Sequence, residues 1–271
     1  MAGLGTGWLA RRFAGCGHAL HFGECIRLLP PISAFTGQGN LALINAVQSV
    51  FDFGAQPQHT FEQLVPGANA VALGLVMRVT EGVGEPQLYF WGAPGTGKTH
   101  LLQAACQRMG SHGLPAAYLS LAEALHPGVL DGLEQLGLVA LDDIQAVMGQ
   151  GGWEIALFDL INRLREQQVP LLLAADAPPA MLAVNLADLA SRLSWGPVLR
   201  LEALDDAGKR EVLRAHAQER GMELPDEVIH FMFAHLPRGL PSLLAGLEQL
   251  DRASMERQRR ITLPLAREVL S

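Results

Sequence analysis

The stretch 91–102 reads Trp-Gly-Ala-Pro-Gly-Thr-Gly-Lys-Thr-His-Leu-Leu and holds the residues with the clearest chemistry in this chain. Gly92, Gly97, Lys98 and Thr99 satisfy the spacing G-x-x-x-x-G-K-[ST] of a phosphate-binding loop. Gly92, Gly95 and Gly97 permit a backbone in which successive N–H groups converge on one anion at a helix N-terminus. Lys98 is then expected to reach the β- and γ-phosphates, and the Thr99 hydroxyl to hold Mg²⁺. Thr96 and His100 belong to the same cradle. The expected ligand is a purine nucleotide, ADP or ATP.

A second reactive group closes the run 138–143, Leu-Val-Ala-Leu-Asp-Asp. Beside a phosphate loop, the first carboxylate, Asp142, is expected to support Mg²⁺ and the second, Asp143, to polarise an attacking water. Without the loop, two aspartates after a strand are more often a turn or helix cap. Asp176 follows the apolar run 171–175, where a polar group would sit near the γ-phosphate; the alternative is a loop aspartate ahead of Pro178-Pro179. Arg192 lies further on, toward the edge of the same sheet. By residue type alone it reads as a solvated or salt-bridged side chain.

These residues need strands and helices to position them. From residue 60 to about 201, short apolar runs alternate with helical patterns, which predicts an α/β fold with a parallel sheet. The strands are expected at 87–91, 116–119, 138–141, 171–175 and 198–201. Leu101, Leu102 and Ala105 fit one face of a helix after the loop. The segment 153–167 places Ala156, Leu157, Leu160, Ile161 and Leu164 on one face of a covering helix. Beyond 204 the strand pattern stops. Asp205 and Asp206 can cap a helix running to 220, Gly221 ends it, and Pro225 opens the next. Further helices are expected at 241–258 and 264–270. Residues 60–204 therefore read as a nucleotide-binding α/β domain and 205–271 as a small all-helical one. Residues 1–45, glycine-rich with Pro30-Pro31, read as a poorly ordered extension or the product of an upstream start codon.

Bulk properties narrow the class. The 271 residues carry a formal charge of −7, which argues against a general nucleic-acid surface. Three cysteines without metal-like spacing suit a reduced compartment. No apolar run reaches the ~18 residues of a membrane span, and the N-terminus makes a poor secretory signal. The expected location is the cytoplasm, with no membrane partner.

The motifs together resemble the AAA+ module of the bacterial replication initiator DnaA. Gly-Lys-Thr-His-Leu-Leu at 97–102 is similar to that group's loop ending, and Asp142-Asp143-Ile144-Gln145 to its acidic box. Thr60-Phe61-Glu62 with Gly67-Ala68-Asn69 resembles the segment that lies against the adenine, which implies an adenine-side role for Phe61. Ser191-Arg192-Leu193 with Trp195-Gly196 resembles the arginine-finger box. DnaA continues past its helical lid into a helix-turn-helix domain, whereas this chain stops at Ser271. The resemblance is therefore closer to the Hda family, regulatory inactivators related to DnaA, whose patterns Trp153-Glu154, the box 186–193, the stretch 250–254 and the terminal Arg260-Ile261-Thr262-Leu263-Pro264 share.

That resemblance implies an AAA+ parallel sheet flanked by helices, a helical lid, and a nucleotide-bound regulator, with ADP the expected resident. It implies little ATPase activity of its own. Arg192 would act in trans on ATP held by DnaA, suppressing replication initiation. Hda-type proteins also carry a glutamine-led apolar motif that docks in the pocket of the β sliding clamp. Gln48-Ser49-Val50-Phe51-Asp52-Phe53 resembles it, twelve positions ahead of Thr60. Its glutamine would hydrogen-bond while Val50, Phe51 and Phe53 fill the pocket, within a clamp-binding segment 46–59. DNA would be met only through the clamp, at the nucleoid or replisome, and self-association is compatible with the fold. One departure stands out: the lid arginine that touches phosphate is replaced by Pro241, with Arg238 three residues earlier as the candidate substitute. Two other readings compete. One is a helicase loader of the DnaC or IstB type, with the basic cluster 252–260 as its one supporting feature. The other is a self-sufficient AAA+ ATPase.

Overall fold

Runs of Leu, Val and Ala buried on both faces become parallel strands, because helices cover each side of the sheet. The computed structural model describes residues 59–270. The extension 1–45 and the clamp-motif residues Gln48, Val50, Phe51 and Phe53 lie outside the described residues. The chain divides into two compact units. The first holds the described part up to Phe61, then Val71–Gly92 and Lys98–Leu201; the second holds Glu62–Ala70, Ala93–Gly97 and the chain from Glu202 onward.

The first unit is built on β1 (Gln87–Trp91), β2 (Ala116–Ser120), β3 (Leu138–Asp142), β4 (Leu171–Ala175) and β5 (Val198–Arg200), in the spatial order β2-β3-β4-β1-β5. All four pairings are parallel, with Gln87 opposite Leu171, Tyr89 opposite Val198 and Ser120 opposite Asp142. Helices α1 (Ala70–Thr80), α2 (Lys98–Ser111), α3 (Gly151–Glu166) and α4 (Ala187–Leu193) run between or before the strands. Leu157, Leu160, Ile161 and Leu164 of α3 pack on Tyr89, Val139, Leu141, Leu171 and Leu173. The alternate strand residues, Leu88, Phe90, Leu138, Ala140 and Leu172, are equally buried and belong to the other face by the two-residue period.

The ladder between β2 and β3 extends one residue past the expected ends, to Ser120 and Asp142. The extension places Asp142 inside the sheet at 1% exposure rather than on a loop. β5 ends one residue early, although Leu201 N–H still donates to the Trp91 carbonyl at 2.7 Å. The 3-10 turns at Pro127–Leu130, Leu133–Gln135 and Ile144–Val147 are too short to carry a period and were not expected.

In the second unit, α5 (Asp206–Glu219), α6 (Asp226–His235), α7 (Leu240–Arg257) and α8 (Leu263–Leu270) enclose a core of Leu213, Ile229, Met232, Leu243, Leu247 and Leu250. Asp205 caps α5 by accepting the Gly208 N–H at 2.8 Å. Gly221 supplies the left-handed turn after it, with φ +68°. Pro225 stands at the N-cap of α6. Among the described residues, no helix is long and apolar enough to cross a membrane.

Candidate functional site

One carboxylate oxygen at the end of β3 accepts from both the start of α2 and the neighbouring strand β2. The Thr99 hydroxyl donates to Asp142 Oδ2 at 2.6 Å, and the Tyr118 phenol donates to the same oxygen at 3.1 Å. The Asp143 N–H donates to Asp142 Oδ1 at 2.9 Å. A hydroxyl beside a fixed, buried carboxylate is the hard oxygen pair that suits Mg²⁺, so Thr99 and Asp142 fit that ion. Tyr118 remains a donor: burial, then the adjacent Asp142 charge, raises its pKa above the ordinary phenol value. It lies on the neighbouring strand β2, and its link to Asp142 depends on strand order, which the sequence pattern does not reveal.

Asp143 adopts a left-handed conformation, φ 55° and ψ 41°, that turns the chain away from the sheet. Its carboxylate accepts from Ser120 Oγ at 3.2 Å and from Gln145 Nε2 at 3.1 Å. The Gln145 Oε1 in turn accepts the Asp176 N–H at 3.2 Å. Gln145 therefore joins the loop after β3 to the loop after β4, a bridging role the sequence reading did not assign. Lys98 Nζ donates to the Gly92 carbonyl at 2.7 Å. Burial holds the Lys98 pKa below its ordinary value, opposed by the charges of Asp142, Asp143 and Asp176. Asp176, though exposed, thus lies close enough to Lys98 to act on it electrostatically.

On the expected adenine side, Phe61 is buried, with the Arg108 guanidinium 5.8 Å from its ring centre. His100 Nε2 lies 3.0 Å from the Thr60 carbonyl. A carbonyl only accepts, so that nitrogen carries the proton. The His59 ring stands 4.6 Å from the His100 ring.

In the second unit, Gly95 and Gly97 have φ of +80° and +90°, the left-handed region that glycine tolerates without strain. Thr96 is buried and its hydroxyl donates to the Ala93 carbonyl at 2.9 Å. A Cβ placed on Gly95 would lie 3.0 Å from Pro241 Cδ and 3.3 Å from Cγ. Pro241, in the first turn of α7, therefore touches the loop directly. Arg238 pairs with Asp206 at 3.4 Å and is largely exposed.

Arg192 stands apart from these groups. The Gln87 side-chain amide donates to the Arg192 carbonyl at 2.8 Å, which fastens α4 to the first residue of β1. Gly92 follows the last residue of that strand, about 16 Å from Gln87 at ~3.3 Å per residue. The Arg192 guanidinium lies on Trp195 and near Phe158, and its Nε donates to Asn162 Oδ1 at 3.0 Å. Asn162 went unnoticed in the sequence, where it is one polar residue on a covering helix.

Glu154 positions α4 from its other end. At 1% exposure, its carboxylate accepts the N–H groups of Gly149 (2.8 Å), Asn185 (3.0 and 3.1 Å) and Leu186 (2.8 Å). Burial raises its pKa, but these backbone donors outweigh it and hold the carboxyl below its ordinary value. Leu186 is the N-cap of α4, so a buried charge stands where the helix begins.

Two family models match separate stretches of the chain. Residues 55–125 match the family model described as the bacterial DnaA ATPase domain. Residues 206–270 match the one described as the Hda lid domain. The chain is a DnaA-related AAA+ protein with an Hda-type lid. Domain III of DnaA from Thermotoga maritima is similar to this DnaA-related chain with a TM-score of 0.68 at 24% identity, over 80% of this chain and 98% of that one. AMPPCP-bound DnaA from Aquifex aeolicus is similar with a TM-score of 0.61 at 27% identity, over 74% and 67%. The Thermotoga maritima RuvB branch-migration motor shares the fold alone, with a TM-score of 0.59 at 18% identity over 79% and 71%. The two family matches support a DnaA-related regulator of DNA replication.

Proposed function

We propose that this DnaA-related protein is a negative regulator of replication initiation that lends Arg192 to ATP bound on DnaA. The observation that carries the reading is the bond between Gln87 and Arg192, which ties the arginine to the end of β1 opposite Gly92. An arginine so placed is directed at a phosphate outside its own loop. Supplied in trans, a guanidinium neutralises charge on the transferring phosphoryl oxygens, an effect of about 10³–10⁵ in rate.

In this reading the loop 92–99, with Thr99 and Asp142, holds ADP and Mg²⁺ as a resident ligand. The bound nucleotide supplies a fixed anion against which the loop orders. The fit of Thr99 to Asp142 and the AMPPCP-bound DnaA relative support nucleotide binding. Autonomous turnover is low because Pro241, the residue against Gly95, offers no cation to a γ-phosphate. The segment 48–53 brings the protein to the DNA-loaded sliding clamp, so DNA is met through the clamp and the place of action is the replisome.

The deciding experiment measures hydrolysis of DnaA-bound ATP with this protein and the DNA-loaded clamp, each present or omitted. Stimulation that needs both is the expected result. Rapid ATP turnover by the protein alone would replace this reading with a self-sufficient ATPase.

A further inference from the structure

We infer that Trp195 is the positioning residue for Arg192, an indole platform that aims the guanidinium at a partner-held phosphate. The inference rests on the trans role proposed above. The Arg192 guanidinium lies 3.9 Å from the Trp195 ring centre, and the Arg165 guanidinium 3.7 Å from the same centre. Two cations this near one ring occupy opposite faces, since side by side on one face they would overlap and repel. Trp195 is thus clasped between Arg165 at the end of α3 and Arg192 at the end of α4.

The platform is itself anchored. Gln87 holds both ends of the turn that carries it: its amide bonds the Arg192 carbonyl, and its own carbonyl abuts Gly196, where a Cβ would come within 1.9 Å. No larger residue fits at 196 without moving the backbone. The indole also lines a cleft of about 200 Å³ with Pro86, Ile161, Leu164, Val169 and Leu171. Glu85, Gln87 and Arg165 line the same cleft, so the ring sits among both apolar and polar groups while Arg192 covers a face.

This arrangement constrains the guanidinium without consuming it. The indole holds the guanidinium carbon 3.9 Å from its ring centre and Asn162 takes the Nε–H at 3.0 Å. The two terminal nitrogens have no hydrogen-bond partner among the described residues. They are the edge a phosphoryl oxygen would accept from. The second cation across the ring weakens the hold of the first, because both draw on the same π-electrons and repel through it. Arg192 is aligned yet readily transferred to a stronger anionic partner.

The test uses the full chain, ATP-loaded DnaA and the DNA-loaded clamp, with the protein titrated to saturation. Trp195→Leu is expected to lower the maximal stimulated rate about tenfold or more, from loss of stacking and alignment. Its half-saturating concentration should stay within about twofold, and Trp195→Phe should recover the rate to within roughly threefold. A full rate in Trp195→Leu overturns the inference, as does an equal loss in Trp195→Phe, which would mean packing alone. A loss confined to the half-saturating concentration also overturns it, because Trp195 would then be a docking residue. The Arg192 Nε–H resonance of the isolated protein gives a second readout: the ring-current shift should vanish in Trp195→Leu and persist in Trp195→Phe. An unmoved resonance rejects the platform. If the resonance moves but the wild-type protein never stimulates hydrolysis, it is the trans reading that fails, and the positioning role falls with it.

Discussion

Gln87 and Arg192 are joined by a single hydrogen bond of 2.8 Å, from the glutamine amide to the arginine carbonyl. That bond sets the reach of the arginine. The phosphate loop begins at the far end of the strand that Gln87 opens, and under the proposed trans role the arginine and the loop of one molecule would serve different nucleotides.

Arg192→Ala should therefore leave nucleotide binding and clamp binding unchanged while abolishing stimulated hydrolysis on DnaA. The expected loss is about 10³-fold or more in single-turnover rate. Retention of stimulation would remove the finger assignment. Thermal melting of the variant checks that the fold survives, as it should for a half-buried side chain outside the core.

The loop predicts the opposite pattern. Lys98→Ala removes a cation expected at the phosphates, and nucleotide affinity should fall by roughly 10- to 100-fold, the scale of a hydrogen bond to a charged group. Equilibrium titration with a fluorescent ADP analogue measures this. Unchanged affinity would mean the loop does not hold phosphate.

Pro241→Arg places a guanidinium beside Gly95. Discrimination between ATP and ADP should then rise in favour of ATP by about tenfold, as expected for one added charge-assisted contact. Paired titrations of the two nucleotides report it. Equal affinities before and after the substitution would show that this position does not read the γ-phosphate.

The segment 48–53 is tested by pull-down on the sliding clamp. Gln48→Ala with Phe51→Ala removes both the hydrogen-bonding side chain and an aromatic anchor, and capture should fall at least tenfold, as for loss of an interface hot spot. Undiminished capture would place clamp binding elsewhere or nowhere on this chain.

Glu154→Gln probes the buried carboxylate at the start of α4. The variant loses charge on a group that accepts from three backbone donors, a cost of about 2 kcal/mol. For a chain of this size the melting temperature should drop by roughly 4–8 °C. The folded-state carboxyl titrates below its unfolded value of about 4.3, so its contribution is complete at neutral pH and disappears as pH falls through the folded pKa. The gap between wild type and variant should accordingly close in acid. A gap independent of pH would assign the cost to packing.

The strands were legible because each is a short apolar run bounded by proline, glycine or polar residues, and Leu171–Ala175 and Gln87–Trp91 begin and end where the pattern does. The loop was legible because its chemistry requires particular residues at fixed spacing. Strand order was not, since every run is equally apolar. Tyr118 and Ser120 acquire meaning only when β2 lies beside β3. Trp195 was visible as part of a motif, but its two-sided clasp depends on Arg165, which sits thirty residues earlier on another element. Asn162 and Glu154 illustrate the same limit: a polar residue on a helix looks solvated until the segment that meets it is known, the helix α4 for Asn162 and the loop ahead of it for Glu154.

The contact between Pro241 and Gly95 has a consequence for timing. A cationic lid residue would feel each phosphate lost from its own nucleotide and convert that loss into a change of state. A pyrrolidine ring carries neither a charge nor an N–H with which to read a γ-phosphate. Under the proposed function, a protein whose lid does not read its own nucleotide would act as often as its partner is reloaded, and the interval between actions would be kept by the partner.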